Sequence, residues 1–247
     1  MEAIDYSAAG VEVRADLLEA HRDLLEHIRA AGTWWTGAQR IAMVEEARRS
    51  LGCRLCQDRK AALSPAHVQG EHDSLGLLPP AAVEVVHRVR TDPARLSRSW
   101  FDSIVGAGQL SDGEYVELVA VVALSAGIDF VGCALGVAPV RLPPPLPGEP
   151  SRRRPASAKG GTAWVPLIAA EDATGPEADL YPATPMVPNV VRALSLVPDE
   201  VRALWRSSNA HYVPLEQIPD PSARRSLDRM QMELVAARVS ALNQCFY

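Results

Sequence analysis

Aromatic residues make up only 5% of the 247-residue chain, and alternating runs of β-branched and aromatic side chains are nearly missing, which argues against a sheet protein. Cysteine is scarce too. Four cysteines in a chain of this length do not make a disulfide scaffold. Neither sign of charge dominates: 25 basic against 30 acidic residues leave a net charge of −5. Basic side chains cluster only at Arg152, Arg153 and Arg154, which gives nucleic-acid binding little support. No apolar run is read as reaching the roughly 20 residues of a membrane span. The N-terminus, MEAIDYSAAGVEVRAD, is acidic where a secretory leader is basic and then apolar. The expectation is a cytoplasmic protein with neither nucleic acid nor membrane as partner.

What is present is 47% hydrophobic residues, enough for a core, and abundant Ala, Leu, Val and Arg, which lean towards helix. Val13, Leu17, Leu18, Leu24, Leu25 and Ile28 fall at helical spacing within residues 11–31, with Gly32 as a stop. A second helix runs from Thr36 to Leu51, which puts the pair Cys53-Arg54-Leu55-Cys56 at a helix junction. Prolines open two more, Pro79 to Arg90 and Pro93 to Val105. Ser111-Asp112-Gly113-Glu114 is a capping box before an apolar helix from Tyr115 to about Leu135.

From Pro139 to Pro185 the periodicity vanishes, and LPPPLPGEPSRRRPASAKGG reads as a linker or surface arm. Helical patterning returns at 187–196, at 199–208 and at 221–247. The expected class is all-α, with helical halves 1–138 and 185–247 joined by a Pro-rich linker over 139–184. A partial repeat agrees with this: Val116-Glu117-Leu118-Val119-Ala120 returns as Met232-Glu233-Leu234-Val235-Ala236.

The Cys53/Cys56 pair has three readings: a redox dithiol, an inert pair at a helix end, or half of a zinc site. Zinc needs about four ligands, and no second Cys-x-x-Cys or Cys/His pair stands at finger spacing. No metal or cofactor is therefore expected. Cationic neighbours Arg54, Arg59 and Lys60 and the start of a helix favour a thiolate there. Glu117 and Glu233 each sit inside an apolar helical run, where a carboxylate is costly unless paired, protonated or functional. Glu117 with His87 forms a candidate acid/base pair. Glu233 stands twelve residues before Cys245, about 120° off one face on a straight helix, so contact between them requires a bend near Asn243. The bland alternative pairs Glu233 with Arg229 or Arg238. Cys133 reads as a small core hydrophobe, and His21, His27, His67, His72 and His211 as weaker candidates.

The segment ELVAARVSALNQCFY resembles the AhpD-like alkylhydroperoxidases of the carboxymuconolactone decarboxylase-like superfamily, whose motif is Glu, eleven residues, Cys, two residues, Cys, three residues, His. Glu233 and Cys245 match its first two elements, and the later ones fall beyond Tyr247. A cloning or gene-prediction boundary, or a UGA codon read as selenocysteine, would account for the stop. Residues 79–136 resemble a divergent second copy. Around Cys53 and Cys56 the pattern departs, with Ile41 at the Glu position and Lys60 at the His position, so a proton relay there must come from elsewhere, Glu117 and His87 being the candidates.

The resemblance implies a thiol-dependent peroxidase or disulfide oxidoreductase. It would be homo-oligomeric, act on a peroxide or disulfide and be recycled by a thiol reductant, with Cys53, Cys56, His87, Glu117, Glu233 and Cys245 as site residues. A lactone decarboxylase-like lyase and a catalytically inactive helical interaction protein are the alternatives.

Overall fold

The computed structural model describes residues 4–161, 163–181, 187–242 and Cys245. Among these the protein is helical, and the sole strand-like feature is an isolated bridge between Lys159 and Leu167. The longer helices in chain order are α1 (Ala15–Arg29), α2 (Gly37–Ser50), α3 (Arg54–Ala61), α4 (Pro80–Thr91), α5 (Arg98–Phe101), α6 (Asp112–Ala134), α7 (Asn189–Arg192), α8 (Pro198–His211) and α9 (Arg229–Leu242).

The ends are set by local chemistry. Thr36 caps α2 and Ser111 caps α6, each accepting from the backbone N–H three residues on while Gln39 or Glu114 bonds back. Pro80 and Pro198 open α4 and α8 at a position whose N–H has no helical partner. The run expected from Pro93 to Val105 is broken. It forms a 3-10 turn at Pro93–Arg95, then α5, which widens into a π-turn at Asp102–Gly106.

Helices α2, α4 and α6 pack on one another, and α1 crosses α2 and α6. Ile28, Met43, Val85, Val86, Leu118, Val121 and Val122 are at most 1% exposed at their meeting point, each worth roughly 1.5–3 kcal/mol of burial. Helix α6 corrects one expectation. It is long and apolar enough to cross a membrane by length and composition, but 61% of its most apolar window is buried inside the bundle. It is the central core helix.

The Pro-rich segment is strapped to the bundle. Leu146 N–H donates to Arg29 O, Ser151 N–H to Gly32 O and Arg152 N–H to Thr33 O, while Val165, Leu167, Ile168 and Leu180 are buried. Beyond it, α8 lies on α1 and α6. Helix α9 differs from all of these: none of its residues is buried, and Met230, Leu234, Val235, Val239 and Leu242 stand exposed.

Candidate functional site

Four side chains converge where α3 meets α4. Cys53 is the N-cap of α3, and Cys56 sits in its first turn. His87 comes from α4, and His72 from the coil between α3 and α4. One donor atom from each lies within 4.8 Å of the others. The Cys56 sulfur is 3.2 Å from His87 Nδ1, and His72 Nδ1 stands 3.6 Å from both sulfurs. Cys53, Cys56 and His87 are buried, and the His72 side chain is 8% exposed.

Each imidazole is held from behind by a carboxylate. His87 Nε2 donates to Glu46 Oε1 at 2.8 Å, and the other oxygen of Glu46 accepts from the Ser74 hydroxyl and the Leu75 N–H. His72 Nε2 donates to Glu84 Oε2 at 2.7 Å, and Glu84 is fixed in turn by Arg59 and the Trp100 indole. Glu84 and His87 share one face of α4 because they are three residues apart. Glu46 lies on the buried face of α2 while its neighbour Glu45 is exposed.

This arrangement divides the charge. Burial works against ionisation of Glu84, but His72, Arg59 and Trp100 outweigh it and hold the carboxyl down at about 2. Burial also opposes a charged His72, and hydrogen bonds to the Cys56 sulfur, Glu84 and the Cys53 sulfur overcome it, raising the group to about 10. Burial pushes the Cys53 thiol up, yet the Cys56 and Asp73 backbone N–H groups and His72 bring it below its ordinary value. His87 goes the other way. Burial lowers it despite Glu46, with His72 adding to the effect, so its Nδ1 lone pair faces the Cys56 sulfur. A charged His72 beside the Cys53 sulfur and a neutral His87 beside the Cys56 sulfur is a division suited to proton transfer.

Of the residues singled out from sequence, Cys53, Cys56 and His87 are brought together. Glu117 is not part of this group. Its carboxylate accepts from Arg40 at 3.1 Å and from the Trp34 N–H at 2.6 Å, and the partner of His87 is Glu46. The expected Glu117–His87 pair is thereby corrected: Glu46 projects from the α2 face nearer the cysteines. Glu233 is also corrected as a buried carboxylate. It is about half exposed on α9, pairs with Arg229 at 2.6 Å and accepts from the Tyr212 hydroxyl. Cys245 is exposed, its backbone N–H donating to Ser240 O; the bend proposed at Asn243 lies outside the described residues. Cys133 is exposed near the end of α6, where a core position was expected.

Glu46 and Glu84 complete the site and were missed, and His72, ranked only among the weaker histidines, belongs to it. Glu46 had a detectable signal, since helical spacing places it three and four residues after Met43 and Ala42 and four before Ser50, all of them buried. His72 ranked low because it lies in a coil, where periodicity gives no direction. An apolar depression of about 430 Å³, lined by Tyr115, Val116, Val119, Trp164 and Leu194 among others, shares no residue with this centre.

Comparison with family models, curated proteins and solved structures finds no match to this chain.

Proposed function

We propose that the protein is a thiol-dependent oxidoreductase of the AhpD-like kind, reducing peroxides through the Cys53/Cys56 dithiol. The observation that carries the reading is the chain Cys56 Sγ to His87 Nδ1 at 3.2 Å and His87 Nε2 to Glu46 at 2.8 Å. It is a nucleophile, a base within reach and a third group that orients the base.

Cys56 passes its proton to His87, and its sulfur attacks one peroxide oxygen. The O–O bond breaks, the leaving alkoxide takes the proton from His87, and Cys56 becomes a sulfenic acid. Cys53, held as a thiolate by His72, then attacks that sulfur. The S–S bond forms and hydroxide leaves as water with the His72 proton. In sum, two thiols and one hydroperoxide give one disulfide, one alcohol and one water. An external dithiol restores the pair by exchange.

The reduced protein is treated with tert-butyl hydroperoxide, and free thiols and disulfide-linked peptides are followed with time. A bond between Cys53 and Cys56 is expected, with the rate lost in Cys53→Ser and Cys56→Ser and kept when Cys133 and Cys245 are both Ser. Oxidation confined to Cys133 or Cys245 would sink the reading. His87→Ala should slow the reaction by about 10²–10⁴-fold, the usual contribution of a positioned base.

A further inference from the structure

We propose that Cys53, Cys56, His72 and His87 form a tetrahedral zinc site when the cysteines are reduced. The inference uses the side chains of the proposed dithiol but does not depend on peroxide turnover.

Spacing is the first argument. Zinc bonds of about 2.3 Å to sulfur and about 2.0 Å to nitrogen at tetrahedral angles put neighbouring S and N donors about 3.6 Å apart. Three of the S–N separations are 3.2, 3.6 and 3.6 Å, and all four donor atoms lie within 4.8 Å of one another, so a small contraction of the widest pair brings them to the corners of that tetrahedron. An ordinary packed pair of cysteines has no reason to hold two imidazole nitrogens at that range.

Orientation is the second. Both histidines turn Nδ1 towards the sulfurs and give Nε2 to a carboxylate, His72 to Glu84 and His87 to Glu46. A carboxylate behind each imidazole fixes the ring with Nε2–H turned away, so that Nδ1 faces the metal position, its lone pair free on His87 and freed on His72 when the ion displaces a proton, the usual outer shell of a zinc-bound histidine. Those carboxylates are themselves anchored, Glu84 by Arg59 and Trp100 and Glu46 by Ser74 and Leu75.

Closure is the third. All four ligands are buried or nearly so, and they come from three consecutive pieces of chain: the start of α3, the coil after it, and α4. Four protein donors leave no open position, which is the pattern of a structural site. Two thiolates and two imidazoles are a donor set that favours zinc over magnesium or calcium. The ion would tie the coil around His72 to the helices on either side of it. The objection that no second ligand pair stands at finger spacing fails here because His72 and His87, fifteen residues apart, are brought together by the fold.

The test starts with the reduced wild-type protein, stripped of metal by a chelator and titrated anaerobically with Co²⁺ and then Zn²⁺. One Co²⁺ per chain, with the intense visible bands of a tetrahedral ion and thiolate-to-cobalt charge transfer, both displaced by one Zn²⁺, is expected. Zinc should also protect Cys53 and Cys56, and not Cys133 or Cys245, from alkylation. A pale octahedral spectrum, sub-stoichiometric binding, or equal alkylation with and without zinc overturns the proposal without any variant being needed. His72→Ala, on a coil outside the core, should weaken Zn²⁺ by more than tenfold, and Glu84→Gln by about 10–100-fold. Binding undiminished by His72→Ala contradicts the assignment. Metal bound by a peroxide-silent protein would keep this site and remove the redox reading; peroxide turnover by a protein that takes no metal would do the reverse.

Discussion

Gly32 has no room for a side chain. A β-carbon there would lie 2.0 Å from Glu117 Oε1 and 2.1 Å from Arg40 Nη1, and both of those side chains are fully buried. Neither can swing aside into water. Gly32→Ala should therefore force apart the buried Arg40–Glu117 contact and cost about 3 kcal/mol or more, seen as a lower urea midpoint with an unchanged slope. A midpoint within experimental error of wild type would show that the pair relaxes freely. Glu46→Gln is the subtler change at this scale. It keeps the shape and one acceptor but leaves His87 or Leu75 facing an NH2 group, so peroxide-driven loss of thiols should slow by about tenfold or more and stability should fall by about 1–3 kcal/mol. An unchanged rate would remove Glu46 from the relay.

The sequence singled out Cys53 and Cys56 by their Cys-x-x-Cys spacing, and His87 only through a pairing with Glu117 that the fold does not make. Glu46 was legible in principle, since its spacing from Ala42, Met43 and Ser50 puts it on the buried face of α2 and leaves Glu45 outside, but spacing does not name the imidazole it meets. His72 stood only among the weaker histidines, since a coil has no periodicity from which to infer a direction.

Helices and their ends follow from local chemistry, which is why α1, α2, α4 and α6 fall close to where spacing and caps place them. What a helix packs against does not follow. Glu233 drew attention as a carboxylate in an apolar run, yet α9 buries nothing, and its charge is met at the surface by Arg229. The apolar run makes a helix without supplying it a core. Likewise the Pro-rich segment reads as a solvated linker because prolines break periodicity, whereas scattered apolar positions such as Ile168 and Leu180 are enough to anchor it. Since no residue of α9 is fully buried, removing residues 230–247 should change the stability of the remaining chain by less than about 1 kcal/mol, as expected when mostly exposed contacts are lost. Oxidation of the Cys53/Cys56 pair should persist in the shortened protein. A large fall in the unfolding midpoint would mean that α9 has a buried role in solution.

At the scale of the whole molecule the halves distinguished in sequence are joined by buried charge. Arg40 on α2 donates to Glu117 on α6 and to Glu200 on α8, at 3.1 and 2.9 Å, and His27 on α1 meets the same Glu200 oxygen at 2.9 Å. No sequence pattern announces this, because its members lie up to 173 residues apart and each looks like an ordinary helical charge. One guanidinium cannot neutralise two buried carboxylates. Burial works against ionisation of Glu200 as well, but Arg40 and His27 together hold it below its ordinary value, whereas burial raises Glu117 to about 7 despite Arg40, with Glu200 adding to the rise.

The sign of the consequence follows from proton counting. Between the ordinary value of 4.5 and about 7 the unfolded chain has released the Glu117 proton while the folded protein keeps it. Stability contributed by this group is complete below 4.5 and is lost as pH rises through 7, a change on the order of 3 kcal/mol. Glu200 has the opposite sign and acts below 4.5. Buried His21, lowered to about 4 by burial and by His211, opposes Glu117 between about 4 and 6.5, so the raw pH profile mixes several groups. Glu117→Gln isolates one of them. Wild type and variant should have similar unfolding free energies near pH 5, and the variant should gain on wild type steadily towards pH 8. Urea unfolding at five pH values measures the difference directly. Parallel profiles would show that Glu117 is ionised in the folded protein throughout, with Arg40 shared between two charged carboxylates.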